Sequence, residues 1–93
     1  GESVVKKIES TAPMIYHHLV RVINQYEDEV SEISVTWSGT AEELTEKVRE
    51  SLYQRLREEM PNMSTTDQRI ISNHMVAKWI ALCPLDLVSR SLF

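Results

Sequence analysis

The chain has 93 residues, 42% hydrophobic and 26% charged, with a formal net charge of −4. That length supports one modest core and no second domain, so residues 1–93 are expected to form a single domain. No apolar run approaches the roughly 20 residues needed to cross a bilayer, and the acidic balance argues against a general phosphate-binding surface.

Only two glycines and three prolines interrupt the chain, which favours helices joined by short connections. The opening GESVVKKIES lacks the apolar stretch of a secretory signal. Cys83 is the single cysteine, so neither an internal disulfide nor a cysteine-rich metal site is expected. These features suit a reducing, intracellular compartment, cytoplasmic or nuclear, with no membrane association. Charge is uneven along the chain: residues 14–36 carry −3, residues 37–60 carry −2 and residues 61–93 carry +1.

Val4, Val5 and Ile8 stand at helical spacing and predict a short helix or ordered extension over 1–10. Thr11, Ala12 and Pro13 then read as a restart, with Thr11 as cap and Pro13 in the first helical turn. Ile15, Leu19, Val22, Ile23, Tyr26, Val30 and Ile33 recur at three and four residues, a continuous stripe through roughly five turns of helix. The β-branched run ISVTW is expected to end it, and WSGT to supply the loop.

Thr40 followed by Glu43 is a capping-box pattern that starts the next helix at about Ala41. Leu44, Val48, Leu52, Leu56 and Met60 follow at strict four-residue spacing with Tyr53 to one side, and Glu43–Lys47 and Glu46–Arg49 fall on the solvated side. Pro61 ends it, and Ser64 or Thr65 caps a third long helix over 66–82 whose apolar residues are Ile70, Ile71, Met75, Val76, Trp79, Ile80 and Leu82. Pro84 stops that helix, and Leu85, Val88 and Leu92, with Leu87 and Phe93 beside them, predict a brief last helix over 85–93. The expected fold is all-α: a small helical bundle of three long helices with short terminal ones.

The chemistry-bearing residues are sparse. His17, His18 and His74 are the only imidazoles and none stands at a two-ligand helical spacing, so no metal and no cofactor are expected. The carboxylates lie on solvated helix faces, and neither a nucleophile elbow nor a phosphate-cradling glycine loop is present, so no enzyme is expected. Trp37, Ser38 and Gly39 between two helices resemble the signature of the Trp-x-Gly family of small secreted helical hairpins. That family has an unbroken helix on each side of the motif, whereas Pro13, Pro61 and Pro84 interrupt both arms here. The plain reading is that Trp37 covers one end of the core while Gly39 makes the turn.

Two functional readings follow. In the leading one, the chain is a non-catalytic protein-protein interaction module that docks a partner helix or a second copy of itself. Met14, Met60, Met63 and Met75, with Tyr16, Tyr53 and Trp79, supply adaptable apolar area of the kind found at helix-binding grooves. The expected contact residues are Tyr16, Tyr53, Leu87, Leu92 and Phe93, with Glu27, Asp28 and Glu29 as an acidic rim for a basic partner. A variant of this reading has the domain only dimerising a larger chain. In the alternative, the helix ending at Pro61 and the helix over 66–82, which meet across a short loop, resemble the last two helices of a Myb-like or helix-turn-helix domain, and Gln68, Arg69, Asn73 and Lys78 of the second would contact nucleic acid. Against that stand the glutamates of the preceding helix, which would repel a phosphate backbone.

Overall fold

The computed structural model describes residues 2–82, and the regular elements among them are all α-helices: α1 (Glu2–Thr11), α2 (Pro13–Thr36), α3 (Ala41–Glu59) and α4 (Thr65–Leu82). The helix expected over 85–93, with Leu87, Leu92 and Phe93, lies outside the described residues.

Pro13 makes α1 and α2 two helices. The proline ring crowds the residue before it, and Ala12 accordingly leaves the helical region, at φ −145° and ψ 72°. Hydrogen bonding still spans the break: the Ala12 N–H donates to the Ile8 carbonyl at 2.8 Å, and the Ala12 carbonyl accepts from the Tyr16 N–H at 2.9 Å. Thr11 does not cap α2 as expected. Its hydroxyl donates back to the Lys7 carbonyl at 2.6 Å, within α1, and α2 starts on Pro13 with no side-chain cap.

α2 is longer than the expected five turns. Its 24 residues make about 6.7 turns, because most of the β-branched run continues the helix. Ser34 is buried there and its hydroxyl is satisfied by the Ser31 carbonyl at 3.0 Å, so the segment has an inner face despite its modest helix propensity. Trp37 ends α2 in an extended conformation, and its indole Nε1–H donates to the Thr40 carbonyl at 2.9 Å.

α3 starts as the capping pattern predicts: the Thr40 hydroxyl oxygen accepts from the Glu43 N–H at 3.1 Å. In the loop before it, a Cβ on Gly39 would stand 3.0 Å from two atoms of the Trp37 indole, so this glycine makes room for a ring. No positive φ is involved. Leu44, Val48, Leu52, Leu56 and Met60 are all buried, and Glu46 pairs with Arg49 on the outside. At the start of α4, Ser64 is the cap, its hydroxyl accepting from the Asp67 N–H at 3.1 Å.

The helices share one core. Leu19, Val22, Tyr26 and Val30 of α2 meet the α3 leucine stripe and Ile71, Val76 and Trp79 of α4, while Val4, Val5 and Ile8 of α1 pack half-buried against them. α2 and α3 run antiparallel, with His18 beside Glu59 and Tyr26 beside Val48. α3 and α4 do the same, Gln68 meeting Met60 and Ser72 meeting Arg49. α1 lies against both α2 and α4.

Candidate functional site

Beyond the turn at Ala12, no helix among the described residues covers the first turn of α2. Met14 is 85% exposed and Ile15 is 50% exposed, which corrects the placement of Ile15 in the core stripe. Across from them α3 ends at Met60 and Pro61, and the short loop through Asn62 and Met63 leads into α4. Together with Ile8 and His18, these residues wall an open, largely apolar groove of about 400 Å³. Met14, Met60 and Met63, three of the four methionines in the chain, line it. Met60 is buried and forms the floor, Met63 is partly buried and Met14 is exposed; a thioether side chain is unbranched and polarisable, so such a lining can adjust to the shape it meets.

The groove stands on a well-fastened floor. A helix ends with carbonyls that lack partners within the helix, and side chains from both neighbours reach the last carbonyls of α3. From α4, the Gln68 Nε2 donates to the Met60 carbonyl at 2.9 Å and the Leu56 carbonyl at 3.4 Å. From α2, the His18 Nε2 donates to the Glu59 carbonyl at 3.0 Å, and its Nδ1 accepts from the Arg21 guanidinium at 2.7 Å. A donating Nε2 and an accepting Nδ1 describe one neutral tautomer, which aligns the imidazole as part of the wall. Two acidic side chains, Glu59 and Asp67, complete the lining, which contains neither lysine nor arginine.

The residues singled out from sequence fall on several surfaces. Tyr53 is half-buried on the outer side of α3, with the Arg69 guanidinium 3.7 Å and that of Arg57 5.7 Å from its ring centroid. Tyr16 lines a separate cleft between α1 and α4 with His74, Met75 and Lys78. On α4, Arg69 and His74 point about 140° apart, so Tyr16 and Tyr53 flank this helix on different sides. Glu27 and Asp28 are exposed on α2, while Glu29 pairs with Arg55 at 2.6 Å; that hydrogen bond raises the Arg55 pKa, against the opposing effect of desolvation.

The four residues of the nucleic-acid reading are dispersed too. Gln68, expected to contact nucleic acid, is instead 2% exposed and serves the end of α3. Arg69 lies over Tyr53 and pairs with Glu50, whose pKa is lowered by the hydrogen bond from that guanidinium. Asn73 and Lys78 are exposed, but five residues apart on one helix they too diverge by about 140°. Among the described residues, no group of three or more His, Cys, Asp or Glu side chains could hold a metal ion, and no helix is long and apolar enough to cross a membrane.

No protein-family model, curated protein or solved structure matches this chain. The groove therefore has to be read from its own residues. Met14, Met60 and Met63 carry a compositional signal in the sequence, but their convergence does not, because it depends on where Pro13 turns the chain and where Pro61 stops α3. His18 was legible only as one of three scattered imidazoles.

Proposed function

We propose that this chain packs as a small helical bundle and acts as a non-catalytic protein-interaction module, docking an amphipathic helix of a partner protein in the groove at the α1–α2 turn. The observation that carries this reading is the convergence of an exposed Met14 and a half-exposed Ile15 with Met60 and Met63 on one open groove. Contiguous exposed apolar surface is uncommon on a monomer without a role in binding. A groove of this size takes apolar side chains presented at i and i+4 by a helix, and methionines suit such a contact because they repack around different side chains. This reading moves the contact surface away from Tyr16, Tyr53 and the Glu27–Glu29 segment to the turn itself.

Calorimetric titration with synthetic amphipathic helical peptides tests it. Binding with a negative heat-capacity change is expected for the parent chain. A variant carrying Met14→Gln and Ile15→Gln is expected to lose that binding while keeping its melting temperature within about 4 °C, since both positions are at least half exposed. Equal binding by parent and variant would sink the proposal.

A further inference from the structure

The groove also has a charge. Its only formally charged lining residues are Glu59 and Asp67. The guanidinium of Arg21 is turned to His18 Nδ1 at 2.7 Å. The C-terminal end of α3 and the N-terminal end of α4 meet at the loop between them, so their helix dipoles oppose each other and the two carboxylates decide the sign. Resting on the docking reading above, we infer that the groove selects a cationic amphipathic helix: aliphatic side chains at i and i+4 enter between Met14, Ile15, Met60 and Met63, and Lys or Arg beside them meet Glu59 and Asp67. Apolar area supplies the attraction common to any such helix, and the carboxylates discriminate among them. Rim charges of this kind act mainly on selectivity and association rate, and salt screens them.

The test uses the full chain labelled with 13C at its methionine methyls. Met14, Met60 and Met63 report on the groove, and Met75, which lines the separate α1–α4 cleft, serves as the internal control. Three helical peptides share one apolar face and differ only in flanking residues, which are Lys, Gln or Glu. The Lys-flanked peptide is expected to shift the three groove methyls, leave Met75 in place, and bind about tenfold tighter than the Glu-flanked one, as two exposed charge pairs that switch from attraction to repulsion allow. Glu59→Gln with Asp67→Asn is expected to bring the Lys- and Glu-flanked peptides to within about twofold of each other, and raising the salt to about 0.5 M to shrink the difference in the parent.

The outcomes separate the two claims. If the Gln- or Glu-flanked peptide moves the same methyls with equal affinity, the charge inference is overturned and the docking reading stands. If no peptide moves them, both fall. Two further results would assign another occupant and overturn the inference: groove methyls that shift on dilution of the chain alone, pointing to a second copy, or that shift in a chain carrying Leu92→Ser and Phe93→Ser, pointing to its own last residues.

Discussion

The first turn of α2 and the middle of α3 carry similar apolar spacing in different surroundings. Leu52 stands four residues from Val48 and from Leu56, and all three are sealed between α2 and α4. Ile15 stands four residues before Leu19, in register with its own stripe, yet half of it remains in contact with solvent. The difference lies in the covering elements. α3 has a neighbour on each side along its length, whereas α1 turns away at Ala12 and α3 ends at Met60, so nothing among the described residues closes over the start of α2. An apolar stripe marks a face that can be buried; whether it is depends on where the neighbouring helices stop.

Substitutions can break or sharpen this contrast. Leu52→Ala opens a cavity in the sealed region and is expected to cost about 2–5 kcal/mol, lowering the melting temperature by about 10 °C or more. Ile15→Ala is expected to cost much less. Thermal melts of the pair in parallel measure the contrast directly, and similar losses would erase it.

A smaller effect is expected where the two regions join. Gln68→Met keeps much of the side-chain volume but removes the Nε2 donor from the Met60 and Leu56 carbonyls, at a cost of about 1–3 kcal/mol. Denaturant unfolding checks it. Because Gln68 Oε1 has no partner among the described residues, part of that loss is offset by removing a buried acceptor, and a neutral result would show that the donor and acceptor contributions cancel.

Tyr26 tests how well the sealed region excludes water. Burial is the main cause raising its pKa, opposed by the Ser51 hydrogen bond; Glu29 raises it slightly and Arg55 lowers it. A folded-state pKa above the unfolded one means that the stabilisation is complete below the unfolded tyrosine pKa and is lost as pH rises through the folded value. Stability is therefore expected to fall on the alkaline side, above about pH 10, and to fall less steeply in Tyr26→Phe. Identical alkaline limbs in denaturant titrations of the two chains would mean that Tyr26 ionises as freely folded as unfolded. The smallest stability effect belongs to Met14→Gln with Ile15→Gln, where the loss is expected in binding instead.

Much of the helical framework was readable in advance because its causes are local. The Thr40 and Ser64 caps, the stops at Pro61 and the break at Pro13, and the α3 stripe each depend on residues within about one turn of each other. Thr11 departs from the expected cap because a threonine two residues before a proline has two local choices, capping ahead or bonding back, and the conformation proline imposes on Ala12 favours the second. The end of α2 was placed too early because propensity argued against Ile33–Thr36, while the inward position of Ser34 and the packing of Ile33 and Trp37 on the core outweighed it.

The sequence by itself determined that the described chain would be helical, where most of its helices begin and end, and which face of α3 is apolar. Tertiary structure alone decided that Gln68 is internal, that Arg69 is committed to Tyr53 and Glu50, that His18 fastens the end of α3, and that three methionines share a groove. The reason is range. Caps and stripes arise from residues three or four positions apart, whereas His18 and Glu59 are 41 positions apart and meet only after α2 and α3 have paired.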